Sequence, residues 1–162
     1  MYTLDIGGEK MIVAFCGHAK YVGNFLDEKK VLEFLEKRIG DTSCEFYLGE
    51  YGGFDRFSYH CAKVFKETHP NARLIFVTPY FDGVQRHSAP QKERFDMIIY
   101  PEIENAPPRY AIDHRNRWIA DRADIIVAYI THEYGGAYAM YRRAKRKHKE
   151  IYNIALREED FS

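Results

Sequence analysis

Short unbroken apolar runs alternate along this chain with longer segments whose apolar residues recur every three or four positions. The run over residues 10–16 is apolar from Met11 to Cys16 and stops at Gly17, the pattern of a strand buried on both faces of a parallel sheet. Over 28–39, Val31, Leu32, Leu35 and Ile39 follow helical spacing, and Gly40 is placed to end that helix. Residues 44–48 predict a second strand, trailed by Gly49, Gly52 and Gly53. Asp55 opens a second helix with Phe57, Cys61, Val64 and Phe65 on one face, closed off by Pro70. A third strand is predicted over 73–78 and a short fourth over 96–100, with an aperiodic, mobile connection between them at 79–95. A helix over 110–122, a strongly apolar strand over 124–130, a helix from Gly135-Gly136 to about His148 and a last strand over 151–156 complete the pattern.

Strand and helix alternating with short links imply right-handed crossovers. The expected fold is therefore α/β, a three-layer Rossmann-like arrangement with a mainly parallel central sheet, as one domain over 1–162. Composition agrees: 46% hydrophobic and 30% charged residues are globular proportions, and 24 Lys plus Arg against 24 Asp plus Glu leave no net charge. That balance argues against global attraction to nucleic acid or to an anionic membrane. Three cysteines without metal-like spacing imply reduced thiols in the cytoplasm, and no secretory leader or membrane-length apolar run is expected. The aromatic share of 15% is high, and most of these rings are expected in the core and at its edges.

In an open parallel sheet, ligands bind beyond the carboxyl ends of the strands where strand order reverses. Three segments fall there: Cys16-Gly17-His18, the loop from Gly49 through Gly52-Gly53 to Asp55, and the segment from Thr131 to Gly135-Gly136. Both glycine pairs precede a helix, where free N–H groups and the helix dipole favour a phosphate. The alternative is that these glycines only permit tight turns. Neither loop is a Walker or G-x-G-x-x-G motif, so no cofactor is expected. Ile112, Arg115 and Ile119 share a helical face, which turns a permanent positive charge toward the sheet. Such a charge needs a bound anion or an internal acid such as Asp55. Cys16 as a nucleophile and Cys16 as a small core residue are both compatible with its place. The basic run from Arg142 to Lys149 reads as a solvated face that complements the helix dipole, with nucleic-acid contact the minority alternative.

The run from Arg115 to Ala128 (RNRWIADRADIIVA) followed by Gly135-Gly136, together with Val13-Ala-Phe-Cys-Gly17-His18 and Gly52-Gly53-Phe-Asp55-Arg56, resembles the SLOG superfamily. That superfamily includes LOG-type phosphoribohydrolases and DprA-like domains. The similarity spans roughly 11–154 and is nearest the small YpsA-like branch. It implies a Rossmann-like sheet that binds a nucleotide or nucleotide-derived ligand, often in a homodimer. It also implies a ligand role for Arg115, with Asn116 beside it, and a phosphate loop at Gly135 and Gly136. LOG-type enzymes carry a glutamate on the helix after that loop, but residues 137–142 contain no carboxylate. N-glycosidic hydrolysis needs one to stabilise a cation-like sugar. Glu133 or Glu50 could substitute by position, with Arg115 as the second catalytic residue. The leading expectation is therefore a sensor or sequestering module that holds the ligand with Gly17, His18, Gly52, Gly53, Asp55, Arg115, Asn116, Gly135 and Gly136. Tyr51, Tyr80 or Tyr134 would stack on the base. The alternatives are an N-glycosidic hydrolase and an interaction module for protein or nucleic acid. No metal, membrane or nucleic-acid partner is expected.

Overall fold

Six parallel strands form one sheet in the order β4-β3-β2-β1-β5-β6. The elements in chain order are β1 (Met11–Gly17), α1 (Phe25–Arg38), β2 (Cys44–Leu48), α2 (Gly53–Thr68), β3 (Ala72–Val77), α3 (Ala89–Arg94), β4 (Met97–Ile99), α4 (Ala111–Arg122), β5 (Ile125–Tyr129), α5 (Gly136–Arg146) and β6 (Glu150–Asn153). This computed structural model describes residues 10–80, 89–101 and 107–156. The chain steps outward from β1 to β4 and then returns to place β5 on the other side of β1. Strand order therefore reverses between β1 and β5.

The period-two alternation of a strand divides the core into two layers. Val13 and Phe15 of β1 join Val31, Leu35, Phe46, Phe54, Cys61 and Phe65 on the face covered by α1 and α2. Ala14 and Cys16 join Ile75, Ile119, Ala120, Ile126, Met140 and Ala144 on the face covered by α4 and α5. The fold is thus α/β with helices on both faces of an all-parallel sheet, as the sequence pattern predicts. Register is fixed by backbone ladders and by acids at the strand ends. Asp124 accepts a hydrogen bond from the Ile12 N–H at 2.8 Å, and Asp96 accepts one from the Leu74 N–H at 2.7 Å while also pairing with Lys66.

Three boundaries differ from the sequence expectation. The first helix begins at Phe25 rather than at 28, because Asn24 caps it: its Oδ1 accepts from the Asp27 N–H at 2.8 Å. The apolar stripe conceals this start, since Phe25 and Leu26 face solvent. The last strand ends at Asn153, whose buried side chain accepts from the Ile130 and Ala155 N–H groups and donates to the Ile130 carbonyl. That amide ties the end of β5 and turns the chain. The expected mobile connection at 79–95 contains α3, and residues 81–88 of it lie outside the described residues. Gly40 sits at φ +53° directly after α1, the left-handed geometry for which glycine is favoured.

The α1 cap gives a first prediction. Asn24→Ala is expected to cost about 1 kcal/mol, seen as a fall of about 2–4 °C in melting temperature. An unchanged thermal melt would show that the Asn24 cap contributes nothing to stability.

Candidate functional site

Beyond the carboxyl ends of β1 and β5 lies a cavity of about 440 Å³. It is lined by Gly17, His18, Gly52, Asp55, Arg115, Asn116, Gly135 and Gly136, and by Tyr51 and Tyr134. Four elements that are remote in sequence therefore bring eight of the nine expected ligand residues to one place. Gly53 lies beneath them, buried, and Tyr80 does not line the cavity.

The two glycine pairs differ in role. A Cβ at Gly53 would stand 1.9 Å from the Tyr21 carbonyl oxygen, and one at Gly52 would stand 2.7 Å from the Ala19 Cα. The Gly53 N–H already donates to the Ala19 carbonyl at 2.7 Å. This pair lets the start of α2 press against the turn that follows β1, the close-approach reading of such glycines. At Gly135 and Gly136 an added Cβ would meet nothing within 4 Å, and Gly135 adopts φ +93°. Gly135, Gly136 and Ala137 at the start of α5 line the cavity, and no side chain among the described residues caps the first N–H groups of that helix.

Arg115 is only 6% exposed. Its Nη1 donates to the Val77 carbonyl at 3.2 Å and its Nη2 to Asn116 Oδ1 at 2.7 Å, while Nε has no partner among the described residues. The guanidinium stands over the Tyr51 ring at 5.0 Å. Burial pushes its pKa down, while Asp55 acts in the opposite direction. Asp55 itself accepts from the Tyr51 N–H at 2.7 Å and so holds the loop after β2 in place. Gly49 keeps the space between these charges, since a Cβ there would come within 2.7 Å of Arg115 Nη1 and 3.1 Å of Asp55 Oδ2. Arg115 and Lys20 face Asp55 alone among the lining carboxylates, which leaves the cavity positive and suited to an anion.

Two residues enter the site that sequence reasoning does not select, His132 and Lys20. His132 stacks on His18 at 3.6 Å and on Tyr134 at 3.9 Å, building a column of three rings at the cavity edge. His18 Nε2 accepts from the Thr131 N–H at 3.0 Å, and burial together with His132 lowers its pKa. The neutral imidazole that preserves this bond is thereby favoured. The segment from Thr131 to Gly136 stands out in the sequence by its place after a strand and by its glycine pair; ring stacking has no local sequence signal.

The carboxylates proposed for hydrolysis lie elsewhere. Glu133 lines a different cleft, beside Arg142 and Lys145, and Glu50 pairs with Arg94. Cys16 is not an activated nucleophile. Its thiol is buried and donates to the Ala137 carbonyl at 2.9 Å, and desolvation pushes its pKa up to about 12. Among the described residues there is no group of three or more His, Cys, Asp and Glu side chains placed to hold a metal, and no helix long and apolar enough to cross a membrane.

No protein-family model matches the sequence, and no curated protein does. Solved structures do resemble the fold. DNA processing protein A from Helicobacter pylori, described for its single-stranded DNA binding mode, superposes with a TM-score of 0.57 at 15% identity over 87% of this chain. The chain spans 63% of the length of that protein. The molybdenum cofactor binding protein from Rippkaea orientalis gives 0.56 at 17% identity, over 88% of this chain and 74% of its own. The molybdenum cofactor carrier protein from Chlamydomonas reinhardtii gives 0.55 at 15% identity, over 93% and 80%. At these identities the likeness establishes the Rossmann-like fold, and that fold fits the SLOG resemblance of the sequence.

Proposed function

We propose that this protein binds a nucleotide or nucleotide-derived anion intact, at the β1/β5 reversal, as a sensor or sequestering module. The observation that carries the reading is one convergence. Arg115, buried with its Nε unpartnered among the described residues, shares a cavity with the glycine-opened start of α5, which no described side chain caps. The phosphate rests on the N–H groups after Gly135, Arg115 faces a second polar group, and Tyr51 or Tyr134 offers a flat surface to a ring. Neighbours that bind a molybdenum cofactor support a small-molecule site in this fold. The expectation that nucleic acid is no partner finds no support in a set of neighbours that includes a single-stranded DNA binder. The YpsA-like placement, the homodimer and the cytoplasmic location belong to this same proposal.

The test is incubation with pooled nucleoside mono-, di- and triphosphates, dinucleotides and cyclic nucleotides, followed by mass spectrometry of bound and free fractions. Intact retention is expected. Gly136→Asp then places a carboxylate where the phosphate sits, so affinity should fall at least about tenfold, or 1.4 kcal/mol. Thermal stability should hold or rise, since an acid in the first turn favours the helix dipole. Retention of no compound, or a variant that binds like wild type, would overturn the reading. Accumulation of free base would replace it with N-glycosidic hydrolysis, in which Asp55 is the carboxylate that lines the cavity.

A further inference from the structure

The basic run at the end of α5 is split by the fold into two sets with different surroundings. Arg143, Lys147 and Lys149 turn toward α4 and converge on Asp121, through its carboxylate for the first two and its carbonyl for the third. Those three fasten the helix. Arg142 and Lys145 turn away and, with Arg146 at the edge between the two sets, line a cleft of about 420 Å³ between α5 and the ends of β5 and β6. Among the described residues Glu133 is the single carboxylate lining that cleft, and no Asp or Glu occurs anywhere from Gly136 to Lys149. Surface helices commonly interleave both signs and pair their cations at i,i+4; among the described residues this face does neither.

Aromatic rings are interleaved with these cations. Tyr138 lies under the Arg142 guanidinium at 5.9 Å and Tyr141 under the Lys145 ammonium at 5.2 Å, both at i,i+4 spacing. Both rings line the cleft, as does the His132 imidazole, whose Nδ1 has no hydrogen-bond partner among the described residues. Cations that follow a backbone of repeated negative charge, beside flat rings that accept unpaired bases, form the chemistry of a single-strand groove. A small nucleotide would need one such pair; a duplex would present no base faces to the rings.

We propose that this cleft is a second binding surface, adjoining the β1/β5 cavity at His132 but built from different cations, and that its ligand is single-stranded nucleic acid. Phosphates lie along Arg142, Lys145 and Arg146, and bases stack on Tyr138 and Tyr141. The placement is independent of the ligand in the cavity.

The test is fluorescence anisotropy with labelled single-stranded 20-mers of DNA and of RNA, and with a duplex of the same length. Three neutralised phosphates predict a slope of log affinity on log salt of about −2, hence about a twentyfold loss between 50 and 200 mM salt. The triple variant R142A/K145A/R146A changes only exposed positions to a good helix former, so it should fold. It should lose at least about tenfold in affinity and flatten the salt slope, while nucleotide binding in the cavity persists. Tyr141→Ala should weaken single strands by about tenfold and leave duplex binding unchanged. Preference for DNA or RNA identifies the natural source of the same chemistry. The proposal is overturned by absence of single-strand binding at 50 mM salt, or by wild-type affinity in the triple variant. It also fails if Arg115→Ala abolishes strand binding, which places the strand in the cavity, or if polyglutamate competes as well as the oligonucleotide, which indicates an acidic protein partner.

Discussion

Alanine at position 53 is expected to lower the melting temperature by about 6–12 °C. The new methyl group would stand 1.9 Å from the Tyr21 carbonyl oxygen and 3.0 Å from that of Ala19, so backbone rather than a pliable side chain blocks it. Relief requires parting the start of α2 from the turn after β1, which also stretches the Gly53 N–H bond to Ala19. Overpacking of this kind costs up to about 3 kcal/mol, and each kcal/mol shifts a domain of this size by about 2–4 °C. Gly136→Ala is the matched control, because nothing lies within 4 Å of its added Cβ. It should melt within about 2 °C of wild type. Thermal denaturation of the two variants side by side decides the matter: equal melting points would remove the distinction between a packing pair and an open, ligand-facing pair.

That distinction marks where sequence reading stops. Gly52-Gly53 and Gly135-Gly136 look alike in the sequence, each a Gly-Gly after a strand and before a helix. What separates them is the neighbour: Ala19 and Tyr21 crowd the first pair and open space surrounds the second. Those neighbours are set by tertiary packing, on which local spacing is silent. Strands β1 and β5 were legible because burial on both faces leaves an unbroken apolar run. The start of α1 was not, because its first turn carries Phe25 and Leu26 outward and only the Asn24 side chain announces it. Arg115 was legible from its offset to Ile119, which is buried on the same inward face, although Ile112, the third residue of the expected stripe, is exposed. Glu133 lies two positions before the open glycine pair, yet its side chain lines the cleft beside Arg142, so nearness in sequence did not bring it into the cavity. The basic run shows the same limit. Six Lys and Arg residues between 142 and 149 say nothing, as a run, of which three Asp121 engages and which three are left beside tyrosines.

Arg115→Met is expected to weaken nucleotide binding about a hundredfold while changing stability by less than about 1 kcal/mol, and these two expectations test different things. Were Arg115 simply the internal counter-ion of Asp55, its removal would strand a half-buried carboxylate and cost about 3–5 kcal/mol. The geometry points the other way. The guanidinium makes its hydrogen bonds to the Val77 carbonyl and to Asn116, and Asp55 is held separately by the Tyr51 N–H. A buried charge that makes no salt bridge among the described residues, with Asp55 acting on it only from beyond contact, carries a desolvation cost that methionine relieves, since its flexible thioether fills much of the same volume. What methionine cannot supply is the charge-assisted bond to a ligand, and that loss should lower affinity by about a hundredfold, or 2.7 kcal/mol. Arg115→Lys should recover only part of it, because a point charge lacks the planar fork that Val77 and Asn116 hold in register. Calorimetric titration with the retained nucleotide, set beside thermal melts of the free proteins, separates the cases. A folded variant that binds about a hundredfold more weakly assigns Arg115 to the ligand. A variant that melts 10 °C or more below wild type, about 3 kcal/mol or more, assigns it to the fold. One that is stable and binds normally removes it from both roles.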